Sequence, residues 1–266
     1  MCVKVVKSDD EKQKRETSSE ANLIIGLLHP NVIRLFGVTR TKNKIGIVME
    51  KAAHGSLDQW LGRIAGERLP NVALGIVKGL EYVHSQCVIH RDIRPLTILM
   101  CGSEKNMIPK IGDFSTSKVI QQATIGTVVG ADFYNAPEVN MMLPYGFSSD
   151  VFSLAITLFE LFNGQLVEKA PIDVKRMIFD VKAGRVGKIP STCKVPECLR
   201  DVIERGWYMK PEDRPALSEY KSVLGKMIKK PEVKARDISE KRISKLQQVN
   251  DLSFPILCFS ITVLSF

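Results

Sequence analysis

The residues best suited to chemistry fall in a fixed order: Lys4 and Glu20 near the start, Asp92 and Arg94 inside His90-Arg91-Asp92-Ile93-Arg94-Pro95, and Asp113 in Asp113-Phe114. Taken singly, each has a plainer reading. A lysine in the alternating run Cys2-Val3-Lys4-Val5-Val6 normally faces solvent from a strand, and an acid after a short strand normally caps a turn. Together they offer a carboxylate able to take a proton, a carboxylate able to hold a hard divalent cation, and cations to balance phosphate. Phosphoryl transfer asks for those parts: held phosphates, neutralised charge and an acceptor hydroxyl aimed in line.

Further along come Ala136-Pro137-Glu138, Asp150-Val151-Phe152-Ser153 and Glu212-Asp213-Arg214-Pro215. With these in order, the sequence resembles the eukaryotic protein kinases from Lys4 to about Met227. Gly55-Ser56-Leu57 and Gly206-Trp207-Tyr208 lean toward the tyrosine-kinase-like group, and Arg94-Pro95 favours serine or threonine over tyrosine as acceptor. The resemblance implies ATP and Mg²⁺ or Mn²⁺ as cofactors and a role for each residue. Lys4 would contact the α- and β-phosphates and pair with Glu20, which stands nine residues before His29. Asp92 would be the catalytic base. Arg94 would neutralise the transferred phosphate, with a planar fork where the family has a lysine. Asp113, twenty-one residues after Asp92, would hold the metal, with Thr97 as a second, weaker ligand. The Glu50 carbonyl and Ala52 amide would hold adenine, Met49 would guard the back pocket, and Leu99 and Cys2 would enclose the ring. Ile24, Leu35, His90 and Phe114 would form an apolar spine anchored by Asp150, and Arg214 would bridge to Glu138. Arg91 is placed to bind a phosphate on the activation segment, where Thr116, Ser117, Thr124 and Thr127 are candidate acceptors.

The sequence also departs from the family. The chain opens inside the third strand of the small lobe, so the glycine-rich loop over the phosphates is not expected in it. Thr97 stands where an asparagine holds a metal. Ser115 replaces the glycine of Asp-Phe-Gly, and Ala131, seven residues before Glu138, replaces a threonine that contacts the catalytic acid. These changes keep a second reading open: a pseudokinase that scaffolds or regulates a partner with little or no phosphotransfer.

The elements needed to position these residues are legible as patterns. Strands are expected at the start, over Val32–Val38 and over Ile45–Met49, the last two joined by a Lys42-Asn43-Lys44 turn. Residues 11–28 read as a helix that His29-Pro30-Asn31 stops. Ser56 reads as an N-cap before Leu57, Trp60 and Leu61, and Pro70 opens a longer helix. A strand pair is expected around Ile98–Met100 and Pro109–Ile111, a nearly all-apolar helix from Ser148-Ser149-Asp150 to Phe162, and two or three helices over 172–227. Few strands followed by many helices gives an α+β chain of two unequal lobes, the first β-rich and the second α-rich, and the resemblance implies that they form a bilobal protein-kinase-like fold over 1–228. An incomplete β-rich N-lobe (1–50) and a helical C-lobe (53–228) precede a basic tail (229–253) and a short apolar C-terminal segment (254–266).

Composition agrees with a globular cytoplasmic protein: of 266 residues 44% are hydrophobic and 25% charged, enough for a core without disulfides. The net charge of +9 invites a nucleic-acid reading. Eight Lys or Arg against three acids between Lys226 and Lys245 supply about half of that excess, so a solvated tail explains it and no nucleic-acid partner is expected. The six cysteines form no CxxC pair and have no histidine at zinc spacing, which suits free thiols in a reducing compartment. The first residues are too quickly charged for a signal peptide, and the almost wholly apolar segment of thirteen residues from Phe254 to Phe266 falls short of a bilayer span. A docking strand, a wrongly assigned gene end and a partial anchor stay open for it, the anchor least favoured, so no membrane partner is expected. The partners are then ATP and a protein, either substrate or regulated target.

Overall fold

The computed structural model describes residues 2–7, 21, 25–41, 44–120, 133–183, 185 and 187–228. Contacts divide the chain into a unit Met1–Ile228, to which all described residues belong, and a unit Lys229–Phe266. The basic tail and apolar end expected from the sequence lie outside the described residues.

Three antiparallel strands make the small lobe: β1 (Cys2–Lys7), β2 (Leu35–Thr41) and β3 (Lys44–Met49), in the order β1-β3-β2. The central strand carries the core, with Ile45 and Ile47 buried. Its register sets Lys4 opposite Ile47 and both Cys2 and Leu35 opposite Met49. The second strand starts three residues later than its hydrophobic run suggests. Val32 instead bridges to Ile111, Ile33 donates its amide to the Ile111 carbonyl (2.8 Å), and Ile111 donates to Asn31 (2.9 Å). Val32, Ile33 and Ile111 are buried as the seam that ties the small lobe to the large one. A register shift at Leu35/Gly37 then turns Phe36 outward under the Arg34 guanidinium. The helix expected over 11–28 is described only at Ala21, and it ends earlier than expected: Ile25 and Gly26 form a turn, and Leu28 donates its amide to the Tyr82 hydroxyl (2.9 Å).

The large lobe is built on two helices, α1 (Arg68–Ser85) and α3 (Phe147–Asn163), with the short α2 (Pro137–Asn140) between them in sequence. On α1 the residues Val72, Ala73, Ile76, Val77, Leu80 and Val83 form one buried stripe, as the 3.6-residue period requires. Pro70 sits in its first turn, where a missing amide costs nothing. On α3 every residue from Ser149 to Phe162 is buried, so its polar members must find internal partners. Ser153 donates to the Tyr134 carbonyl (2.8 Å) and Thr157 to the Ile93 carbonyl (3.2 Å). Gly164, at φ 82°, closes the helix by donating to Glu160. Helices α4 (Ile172–Lys182), α5 (Glu197–Gly206) and α6 (Leu217–Met227) complete the lobe. Gly206 is required where α5 meets α6, since a Cβ there would lie 2.1 Å from the Tyr220 hydroxyl.

Two small antiparallel ladders carry the loops that matter: β4 (Val88–Ile89) with β7 (Lys118–Val119), and β5 (Ile98–Ser103) with β6 (Asn106–Ile111). One local expectation fails. Ser56 precedes a 3-10 turn (Leu57–Trp60) but does not cap it, because its hydroxyl donates to the Asp58 carboxylate at 2.5 Å. Among the described residues, no helix is long and apolar enough to cross a membrane.

Candidate active site

The segment His90–Thr97 joins β4 to β5 and is held from beneath by Asp150 at the start of α3. Asp150 is fully buried; its Oδ2 accepts the His90 amide (2.8 Å) and the His84 ring (2.9 Å), and its Oδ1 accepts the Arg91 amide (2.8 Å). Burial alone would raise its pKa, but the hydrogen bond and charge of His84, with the His90 amide, hold it below the usual carboxylate range. The backbone pays a local strain at Arg91, whose φ is 68°. His90 is itself buried, which lowers its pKa and keeps the ring neutral. Its Nε2 faces the Gly112 carbonyl at 3.0 Å, its Nδ1 receives the Asp92 amide at 3.3 Å, and its edge meets the Phe114 ring. A neutral ring with Nε2–H donating satisfies both contacts.

Asp92 is 8% exposed. Arg94 Nε donates to its Oδ2 at 3.3 Å and lies 3.1 Å from Oδ1, at an angle that makes no hydrogen bond. Oδ1 is thus a buried carboxylate oxygen without a hydrogen bond among the described residues. Such an oxygen is costly unless another group completes it. Thr97 is also buried, and its hydroxyl donates toward the Asp92 and Arg94 carbonyls (2.6 and 3.0 Å) while receiving the Arg94 amide (3.2 Å). It braces the loop's own backbone.

Asp113 follows β6 and adopts a left-handed conformation, φ 56° and ψ 74°, ahead of a 3-10 turn that buries Phe114. Ser115 donates to Asp113 Oδ1 at 2.9 Å. The following hydroxyls lock this turn to the Asp92 loop: Thr116 and Ser117 both donate to the His90 carbonyl (3.1 and 3.2 Å), and Arg91 Nε donates to the Thr116 carbonyl. Gly112 lets the turn pass Leu99, since a Cβ there would sit 2.7 Å from its Cδ1. The two carboxylates expected to act together are therefore mounted on loops that share His90 as their fastening point.

On the opposite side, Glu50 donates its amide to the Arg34 carbonyl (2.8 Å), accepts the Cys2 thiol on its own carbonyl (3.3 Å), and pairs through its side chain with Lys110 (3.1 Å). Ala52 and Leu99 are both half-buried, and Ser56 bridges to Leu99 in β5. Lys4 is described only as a residue of β1. Glu20, Ile24, Ala131, Thr124 and Thr127 lie outside the described residues. Arg91, expected to receive a phosphate, also reaches the Tyr145 hydroxyl (3.2 Å).

Several contributors escaped sequence reasoning. His84 stands sixty-six residues from Asp150, and only the fold brings them together. Tyr134 donates to both oxygens of Glu160, which also accepts the Val167 amide. Burial pushes the Glu160 carboxyl up to about 8, more than those hydrogen bonds bring it down. A glutamate inside an all-apolar helix pattern was the available signal. Farther from the loops, Arg214 makes a two-pronged buried pair with Glu138 (2.6 and 2.8 Å).

A family model described as the protein kinase domain matches residues 1–224. The Arabidopsis thaliana serine/threonine-protein kinase STY17 is 29% identical over 236 residues, which cover 86% of this chain and 40% of that protein. Human mitogen-activated protein kinase kinase kinase 10 is 31% identical, with 85% of this chain and 25% of the relative covered. The RGS domain-containing serine/threonine-protein kinase A of Dictyostelium discoideum is 31% identical, with 80% and 19% covered. The chain spans two fifths or less of the length of these relatives.

Proposed function

The chain belongs to the protein kinase family, and we propose on that premise that it transfers the γ-phosphate of ATP to serine or threonine of a protein substrate, in cytoplasmic signalling. The observation that carries this reading is the buried Oδ1 of Asp92, which accepts no hydrogen bond among the described residues and lies 3.1 Å from Arg94 Nε. An acceptor hydroxyl donating to that oxygen would satisfy it and be aimed and deprotonated in one contact. Arg94 keeps a positive charge at the same carboxylate, suited to the negative charge of a transferring phosphoryl group. Asp113 suits a Mg²⁺ or Mn²⁺ ion, because such ions are commonly held by one or two carboxylates together with nucleotide phosphates and water. When bound, the ion would neutralise phosphate charge. Glu50 and Ala52 offer the backbone groups for adenine, Leu99 and Cys2 the apolar walls, and Lys4 with Glu20 the phosphate contact.

Thr97 favours a second reading. Its hydroxyl is buried in contacts with its own loop, so Asp113 would act with less help than an outward-facing amide gives. A nucleotide-binding scaffold with little transfer is the outcome to separate. Incubation with radiolabelled ATP, Mg²⁺ or Mn²⁺ and a mixed protein substrate, followed by phosphoamino-acid analysis, does so. Phosphoserine or phosphothreonine is expected. Label confined to phosphotyrosine would overturn the acceptor class, and ATP binding with no label at all would establish the scaffold.

A further inference from the structure

A groove of about 580 Å³ opens on the large lobe between α1 and the β5–β6 hairpin, lined by none of the residues given roles in phosphotransfer above. One wall is a single face of α1, running Arg68, Asn71, Val72, Gly75 and Lys78 at the i, i+3, i+4, i+7 spacing of neighbours on a helix. The other wall is the hairpin turn and β6, close to α1 because Gly75 has no Cβ; one there would stand 2.7 Å from Pro109. The half-buried Trp60 and Met107 give the groove apolar surface.

The charged groups around it are unbalanced. Among the described residues Arg63, Arg68, Lys78 and Lys105 line it, and Glu104 is the sole acid that does. None of these four cations enters an ion pair among the described residues; other surface cations of the lobe share that state, and what sets these four apart is that they line one groove. Arg68 donates to the Glu104 carbonyl at 3.3 Å. A groove of this volume is in the range of ligand sites. We propose that it is a docking groove for an acidic protein segment, in which carboxylates meet these four cations and an apolar side chain seats against Trp60 and Met107. The spacing selects a chain over a small anion. Arg68 and Lys78 are ten residues apart on one helix, about 15 Å along its axis, farther than one phosphate or dicarboxylate reaches. An extended segment of roughly five residues covers that length. The proposal does not depend on phosphotransfer, since the groove serves a catalyst or a scaffold equally.

The probe is a synthetic peptide of roughly eight residues, glutamates and aspartates interrupted by two leucines, titrated calorimetrically into the whole protein at low and moderate salt. Trp60 supplies a second signal, because the other tryptophan, Trp207, is buried and bonded to Gly187. Binding is expected, with a change in tryptophan fluorescence and at least tenfold weakening as salt rises. Charge reversal at the exposed positions Arg63→Glu, Lys78→Glu and Lys105→Glu should weaken it at least tenfold while the melting transition stays intact. Should the triple variant melt early, Lys105→Glu alone, on the hairpin turn, should still weaken binding severalfold. Equal affinity in wild type and variant, no binding at millimolar peptide, or an equally tight lysine counterpart would overturn the proposal. So would full competition by millimolar phosphate, or binding of phosphatidylserine vesicles in place of the peptide.

Discussion

Ser115 replaces a glycine of the family pattern and brings a hydroxyl that reaches Asp113 Oδ1. A hydrogen bond to a charged group is worth about 1.5–3 kcal/mol when well sheltered, and less on an exposed turn. Ser115→Ala should therefore raise the Mg²⁺ concentration for half-maximal transfer by about two- to fivefold, roughly 1 kcal/mol or less. Ser115→Gly should raise it further, since it also frees the backbone. A metal titration of the transfer rate checks both. Glu160 gives a pH prediction. Its folded pKa stands near 8 against an ordinary 4.5, so across that interval the folded state holds a proton the unfolded state has released. Stability must then fall as pH rises from about 4.5 to 8. His90, whose pKa is lowered by burial, acts oppositely below its ordinary 6.5, where protonation favours unfolding. The difference between wild type and Glu160→Gln isolates the glutamate. The variant's urea midpoint should be less sensitive to pH over that window, and parallel curves would refute the assignment.

Among elements, the Arg214–Glu138 pair shows how a motif with no chemistry holds others in place. Both side chains are nearly sealed from water, and Arg214 also donates to the Ser148 and Tyr208 carbonyls, joining the end of the Ala136-Pro137-Glu138 segment to the start of α3. Arg214→Ala leaves the Glu138 carboxylate buried and unpaired, and should cost about 3–5 kcal/mol in urea unfolding. A paired Arg214→Met, Glu138→Leu replacement should recover much of that loss. This bridge was legible in the sequence, because two distant motifs carried its partners. Helices α1 and α3 were legible for a different reason, since their apolar patterns run long. What failed was decided by contacts the local pattern does not contain. Val32 and Ile33 read as strand but pair with Ile111, nearly eighty residues away, and Ser56 read as a cap but turns to Asp58. Thr97 illustrates the same limit within the site: its position was readable, whereas the direction of its hydroxyl depended on the loop's own carbonyls.

At the scale of the whole molecule, the helical lobe acts as a foundation and the site as a pair of loops fastened to it. Asp150 fixes the His90–Arg91 backbone, His90 fixes the Asp113 turn through Gly112, Thr116 and Ser117, and Arg94 stays beside Asp92. The basic groove lies on another part of the same lobe, so docking and chemistry are separable by mutation. The central claim is that Asp92 is the group that makes this fold a phosphotransferase. Its most direct test compares initial rates of label transfer from radiolabelled ATP for wild type and Asp92→Asn, with matched melting transitions. Asparagine keeps the shape and removes the base. A fall of about a hundredfold or more in the variant, in line with the usual contribution of general base catalysis, is the predicted result. Equal transfer by the two proteins would contradict the account.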